Sequence, residues 1–524
     1  MNKKEFKEVL SNLIDEKEIT YDKNISKFSK IHKYWSRKPW YIISSYVSKY
    51  SSKGDTVLDP FCGSGVVGLE SNLVNRNFIG YDLNPTAIFL TEITTDFKFD
   101  TKEFQDEIET FEIEMKQTIM DLYKLSQDTY TLYNVLGKGN KKDYNSVQGD
   151  YIFKNKTKLQ VEHKIENYKL PKGLTYPDKE FPKKFYKDRF SYKGVSKVSD
   201  MFSKRNLHAL ALINSYIENK GFKYKKLFKL AFSNTLLHVS ILKGENVRPL
   251  GVNNYWIPDD FIEENVYWRF IDRINNIKLS KSIIQKRVNE QKPVKSANKL
   301  YNKSSLNLKE ISNDSVDYVL TDPPYGDAIQ YSELSFIWNT WLGKDYNIEK
   351  EVIINPVQSK GIKEFHESIF TFLDNVYRVL KKDKYFTLCF QNKDVKVWIE
   401  IIKKIRDLGF SLHDIKIYDV FGSPYNKHWA KFSPKSDLYV TFKKTESSIK
   451  DSKVVIDADK IIQQIIQHLT QNADTKLDLN VAFDLFVSIV IKEIFENKSC
   501  ENINALDLKK IINKFEDIYG NREK

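Results

Sequence analysis

Short apolar runs and longer amphipathic ones alternate near both ends of this chain, and a different pattern separates them. Thr56 to Leu58 and Asn77 to Tyr81 are brief apolar runs closed by acids, the pattern of buried strands. Val66 to Val74 between them has helical spacing, as does Tyr41 to Tyr50 ahead of them, with Pro39 marking a helix start. After Leu300 the alternation resumes: a strand within Leu300 to Leu306, a strand Val316 to Leu320, a helix Phe365 to Leu380, a strand Tyr385 to Gln391, a helix Val397 to Leu408, then strands Leu412 to Val420 and Leu438 to Phe442. Two strands before the break and five after it predict an α/β fold with a seven-stranded, doubly wound sheet.

The interval from Thr101 to about Leu300 opens on a helix whose one face carries Phe104, Ile108, Phe111, Met115, Ile119 and Leu122. Gly137 to Gly194 is irregular and rich in Gly, Lys and Tyr, with a short strand at Asp150 to Phe153. Helical spacing returns from Phe202 through Leu207, Leu210, Ile213 and Ile217, then over Leu227 to Leu242 and Phe261 to Asn289. A structureless loop of that length does not suit a compact domain, so a large, mixed but mostly helical insertion is expected. Three amphipathic helices, Asp459 to Leu469, Asn480 to Asn497 and Ala505 to Tyr519, follow the last strand. The division is therefore 1–100, the first half of the sheet domain; 101–299, the insertion; 300–445, the second half; and 446–524, a helical segment.

Composition narrows the class. With 524 residues, 41% of them hydrophobic, the chain can build two or three domains with true cores. The 83 Lys and Arg against 70 Asp and Glu, a formal charge of +13, are spread through the sequence, which suits a polyanionic partner or a solvated lysine-rich surface. Cys62, Cys389 and Cys500 are too few and too scattered for a disulfide framework or a cysteine zinc site, so a cytoplasmic setting is expected. The start, MNKKEFKEVL, lacks the apolar core of a signal peptide, and Val481 to Phe495 is too short and too interrupted by Asp484, Lys492 and Glu493 to span a bilayer.

Two stretches carry candidate chemistry. Gly63, Gly65 and Gly68 have G-x-G-x-x-G spacing between a strand and a helix, and Asp82 ends the next strand, where a carboxylate can take the hydroxyls of a ribose. Alone each feature is an ordinary turn or surface acid; in register they point to a nucleoside-bearing cofactor. The second stretch is Thr321-Asp322-Pro323-Pro324-Tyr325-Gly326, directly after a strand. An exocyclic base amine is a poor nucleophile because its lone pair is delocalised into the ring. Hydrogen bonds from it to the Asp322 carboxylate and the Pro323 carbonyl would free that lone pair, and Tyr325 would stack on the base. A sulfonium methyl would then lie in line for displacement, with no metal needed, the protein contributing position and electrostatics.

Together, VLDPFCGSG, GYDLNP and VDYVLTDPPYG resemble the S-adenosylmethionine-dependent DNA amino-methyltransferases that modify adenine N6 or cytosine N4. The resemblance covers about residues 30–100 and 300–445 and implies a Rossmann-like sheet. It further implies that Asp59, Phe61, Gly63 and Gly65 line the S-adenosylmethionine site, that Asp82 holds the ribose, and that Asp322, Pro323, Pro324 and Tyr325 form the catalytic loop. HKYWSRKPW resembles the family segment that packs on the methionine end of the cofactor, with Lys38 and Pro39 as the contacts. Ser203 to Ile213 and Asn254 to Phe270 resemble, more loosely, one restriction–modification branch, which implies double-stranded DNA as partner and a cognate restriction enzyme. One departure stands out: the family's acid in a Gly-Asp-Ser-like turn before the catalytic strand corresponds here to Asn302-Lys303-Ser304-Ser305.

DNA recognition requires phosphate contacts and an extruded base. Lys183, Lys184, Lys187, Arg189, Lys204 and Arg205, with Lys193 and Lys197 close by and Phe185, Tyr186, Phe190 and Tyr192 among them, are the candidates in the insertion. A solvated basic loop would have the same composition. Ser332, Phe336, Trp338 and Trp341 follow the catalytic loop and suit helical core packing or a wall for the base. The histidines show no paired metal spacing and are read as structural, and no metal is expected. Adenine N6 is preferred over cytosine N4 because Asp322 heads the loop where cytosine enzymes more often carry serine. An RNA guanine-N2 methyltransferase and a catalytically silent DNA-binding subunit remain alternatives.

Overall fold

Val57 and Leu58 are fully buried in strand β1 (Thr56–Asp59), and all of β9 (Val316–Thr321) is buried beside it, as parallel strands covered on both faces require. The computed structural model describes residues 31–126, 129–137, 144–148, 151–155, 168–183, 185, 194–244, 248–250, 255–294, 296–419, 436–445, 456–471, 479–496 and 513. Around β1 the remaining strands are β2 (Asn77–Tyr81), β8 (Asn298–Tyr301), β10 (Leu380–Phe390), β11 (Phe410–Asp419) and β12 (Ser436–Lys444), in the order β11-β12-β10-β9-β1-β2-β8. The β8-β2-β1-β9-β10 portion is parallel and β12 runs antiparallel between β10 and β11. This is the seven-stranded Rossmann-like sheet the alternation predicts.

Glycine makes the first turn possible. Gly63 and Gly65 take φ of +50° and +80°, and Gly65 caps helix α2 (Val66–Leu73) while its missing side chain leaves room for Thr91, whose Cα would lie 2.7 Å from a Cβ there. Helix α1 (Trp40–Tyr50) begins after Pro39 and packs on α2, and α3 (Pro85–Thr95) follows β2. Helices α9 (Ile362–Val379) and α10 (Val395–Asp407) bury Phe365, Ile369, Phe372, Trp398 and Ile402 on the opposite face of the sheet.

The first two C-terminal helices complete that face. Ile462, Ile465 and Ile466 of α11 (Ala458–Gln471) and Phe483 and Phe486 of α12 (Leu479–Phe495) join the same core as Trp398 and Phe442. They therefore buttress the sheet. The third expected helix, Ala505 to Tyr519, lies outside the described residues but for Asn513.

The insertion contributes α4 (Thr101–Met120), α5 (Lys204–Asn219), α6 (Lys225–Leu236) and α7 (Val266–Gln291). These share a core with α3 and with α8 (Tyr331–Trp341), through Phe104, Phe228, Phe270, Leu90 and Trp338. A second sheet differs from the helical reading. β3 (Lys124–Ser126), β4 (Thr129–Gly137), β5 (Tyr144–Gln148) and β6 (Tyr151–Asn155) are joined by β7 (Asp260–Glu264), which pairs with β4. Phe261 to Glu264, expected as the start of a helix, are thus strand, because the free edge of β4 takes their backbone groups. The helix begins only where Asn265 accepts from Tyr267 N at 3.0 Å. Half of the expected irregular stretch 137–194 lies outside the described residues. No helix among the described residues is long and apolar enough to cross a membrane.

Candidate active site

The carboxyl ends of β1, β2 and β9 each deliver one acid to a single cleft, the position where open α/β sheets bind ligands. Asp59 is buried at the end of β1, where its Oδ1 accepts from Phe61 N at 3.1 Å and from Thr321 Oγ1 at 2.7 Å. Burial pushes its pKa up to about 7, against the opposing pull of those two donors. Asp82, after β2, accepts from Gly63 N at 3.0 Å and from Asn84 N at 2.8 Å. Burial raises it to about 7 as well.

Asp322 sits at the head of the loop after β9. Its carboxylate accepts from the Tyr325 hydroxyl and lies 3.4 Å from Lys38 Nζ. Desolvation lifts its pKa to about 6, with Lys38 and Tyr325 holding it down. Asn392 Nδ2 donates to the Tyr325 carbonyl at 3.0 Å, Gly326 turns with φ +92°, and Ile354 N donates to the Gly326 carbonyl at 3.1 Å, so the loop is pinned from two sides. The Tyr325 ring packs edge-on against Phe390, 5.5 Å between centroids.

The cleft encloses about 920 Å³ of non-protein space, including its mouth. Lys38, Asp59, Phe61, Gly63, Asp82, Asp322 and Pro324 line it, bringing together seven residues expected from two distant stretches. Pro39 and Gly65 serve from behind: Pro39 precedes α1 and Gly65 caps α2. The fit to a nucleoside-bearing cofactor rests on a cradle that a side chain would fill, since a Cβ on Gly63 would stand 3.1 Å from Tyr34 Cε1, and on the Asp82 carboxylate beside it. The residues present fit such a group.

Further residues complete the wall. Tyr34 and Arg37 belong to the HKYWSRKPW stretch; Arg37 donates to Ser64 Oγ at 3.1 Å and to the His32 carbonyl at 3.0 Å. Ser304 and Ser305 line the wall where the family's acid was missing, and an acid does reach the cleft from elsewhere: buried Glu351 accepts from Ser332 N at 2.8 Å and from Ser332 Oγ. Asp437, at the start of β12, pairs with Lys38 at 3.2 Å. Only its acidic character was visible in the sequence. Trp338, Trp341 and Phe336 are buried in the insertion core.

The family model described as DNA methylase, of N6/N4 methyltransferases, matches residues 1–92 and 316–504, more than half of the 524-residue chain and both flanks of the insertion. The chain belongs to this family. The Type II methyltransferase M.HpaI of Haemophilus parainfluenzae is 31% identical over 91 residues, 16% of this chain and 29% of that protein. The Type II methyltransferase M2.DpnII of Streptococcus pneumoniae is 35% identical over 60 residues, 12% of this chain and 22% of that protein. The chain thus spans less than a third of the length of either relative in these alignments.

For this DNA methylase family member, the expected DNA contacts divide. Lys183 and Lys204 are exposed. Arg205 is not available: it is 2% exposed, paired with Glu263 and stacked 4.7 Å over Tyr123, because an unpaired guanidinium could not be buried there. Phe185 is likewise core, edge-on to Phe336 at 5.3 Å, and Lys197 pairs with Asp178 at 3.0 Å. Lys184, Lys187, Arg189 and Lys193 lie outside the described residues. His32 is buried as a neutral ring, its pKa lowered to about 4 by desolvation, and it ties the N-terminal segment to Ser233 of α6 at 3.0 Å. Among the described residues no group of three His, Cys, Asp or Glu could hold a metal.

Proposed function

We propose that this protein is a site-specific DNA methyltransferase that acts on the exocyclic amine of a flipped base, adenine N6 before cytosine N4. The single observation that carries the reading is that Asp322 and Asp82 line one cleft, which would put an amine acceptor and a ribose acceptor in one site. S-adenosylmethionine, when bound, supplies an electrophilic methyl group on a sulfonium. Asp82 and the Gly63 turn would hold its nucleoside, with Phe61 and Asp59 alongside.

At neutral pH and above, Asp322 is ionised and accepts one amine N–H; the Pro323 carbonyl accepts the other. That would draw the nitrogen toward tetrahedral geometry and free its lone pair from the ring, ready for the methyl group the cofactor would supply. The nitrogen then sheds one proton, which the Asp322 carboxylate takes and passes to solvent. Pro324 keeps the loop stiff and Tyr325 offers a stacking face to the base. The base must leave the duplex to reach this depth. Lys183 and Lys204 are the described candidates for phosphate contact, with Lys184, Lys187 and Arg189 beside them in the chain.

The two relatives are named Type II methyltransferases, which supports a type II restriction–modification setting; we extend it to double-stranded DNA as substrate, a cognate restriction enzyme as companion and the cytoplasm as location. The test is to methylate DNA with the purified protein and identify the modified nucleoside by mass. N6-methyl-2′-deoxyadenosine is expected. N4-methylcytosine alone would reverse the base ranking, and transfer to tRNA but not DNA would overturn the assignment.

A further inference from the structure

Lys38, expected as a cofactor contact, lines the cleft beside the Asp322 loop. Its buried ammonium stands between two carboxylates, 3.4 Å from Asp322 Oδ2 and 3.2 Å from Asp437 Oδ2. It also donates to the Tyr325 hydroxyl at 2.6 Å, and that hydroxyl donates onward to Asp322 Oδ1. Both oxygens of the amine-accepting carboxylate are therefore addressed from one lysine, directly and through Tyr325. The groups that face Asp322 come from every neighbouring element: Lys38 before α1, Asp59 at the end of β1, Tyr325 in its own loop, Tyr331 in α8, Cys389 in β10, and Asp437 and Tyr439 in β12. Of these Lys38 is the cation. Its charge offsets that of the two carboxylates it stands between.

We propose that Lys38 is a positioning residue for methyl transfer: it keeps the Asp322 carboxylate ionised and oriented, while Asp437 anchors the ammonium from the far side. The inference rests on the reading of Asp322 as the amine acceptor. Lys38 itself need not touch cofactor or base. A protonated Asp322 would offer the amine a weaker acceptor and could not take its proton, so the lysine acts on the rate through the acid.

The test pairs two measurements on the full chain. One is the pH dependence of single-turnover methyl transfer; the other is titration of the Asp322 carboxylate by carbon-13 NMR, with Asp322→Asn identifying its resonance. Lys38→Met should move the Asp322 midpoint up by about one pH unit or more, the size expected for loss of an opposite charge at this range. Lys38→Arg should bring it back toward the starting value, and Asp437→Asn should move it down, because a repelling charge has gone. A residue that only supports the fold would not shift one midpoint in opposite directions. An unmoved midpoint in Lys38→Met overturns the proposal, and unmoved with weakened S-adenosylhomocysteine binding it returns Lys38 to the cofactor. If Lys38→Met does not fold, the double variant Lys38→Met/Asp437→Asn removes one charge of each sign, and its midpoint must lie above that of Asp437→Asn. Failure of the wild-type protein to methylate DNA would sink the reading of function, whereas the NMR titration decides the lysine's hold on Asp322 by itself.

Discussion

Thr321 donates a 2.7 Å hydrogen bond to the buried carboxylate of Asp59, joining the end of β9 to the end of β1. Through this contact the loop that carries Asp322 is held in register with the loop that carries Phe61, whose N–H meets the same oxygen at 3.1 Å. Thr321→Val keeps the shape and removes the donor. It should destabilise the protein by about 1–3 kcal/mol, the range for stranding one partner of a buried hydrogen bond. Urea unfolding of the two proteins would measure it.

Three of the cleft's acids, Asp59, Asp82 and Asp322, make stability and binding depend on pH with opposite signs. Asp59 and Asp82 have folded pKa values near 7 and Asp322 near 6, all raised above their unfolded values. Between about pH 4 and those values the folded chain keeps protons that the unfolded chain has released, so these groups reduce stability as pH rises through that window. Ribose hydroxyls, in contrast, need an ionised Asp82 as acceptor. Affinity for S-adenosylhomocysteine should therefore fall as pH is lowered through about 7, by calorimetry, while the melting temperature contributed by these acids rises. Affinity that is flat across the interval would exclude Asp82 as the ribose acceptor.

Arg287 closes the far end of the insertion onto the sheet domain. Its guanidinium makes two 2.6 Å bonds to the fully buried Glu70 and lies 4.0 Å over the Trp40 ring. Arg287→Ala strands a buried carboxylate and should cost about 3–5 kcal/mol, whereas Arg287→Met with Glu70→Gln should recover much of the loss. Equal destabilisation in the single and double variants, by denaturant titration, would contradict this account of the pair.

Lys204 and Arg205 adjoin in sequence and differ in fate. Lys204→Ala should weaken DNA binding and lower the slope of log affinity against log salt by about one, the signature of one lost phosphate contact. Arg205→Ala should instead lower the melting temperature, since Glu263 loses its buried partner, and leave the salt slope of the remaining folded protein unchanged. Filter binding over a salt series separates the two.

What the sequence by itself determined is everything that neighbouring residues can specify. Alternating apolar runs set the strands and helices of the sheet domain; the glycines at 63 and 65 set the turn that needs positive φ; Asp-Pro-Pro-Tyr set a stiff loop after a strand. These are local properties, decided within a few residues by sterics and periodicity. The tertiary structure decided which charges face water and which face each other. Arg205 resembled its basic neighbours until Glu263 proved to lie against it, and Lys38, one basic residue in an aromatic stretch, came to stand between Asp322 and Asp437. Glu351 reached the cleft from a loop far along the chain, and Phe261 became strand because β4 had a free edge. The physical reason is common to all four. A charge or a backbone edge has no fixed fate of its own; burial costs it several kcal/mol unless a partner is present, and that partner is chosen by the fold.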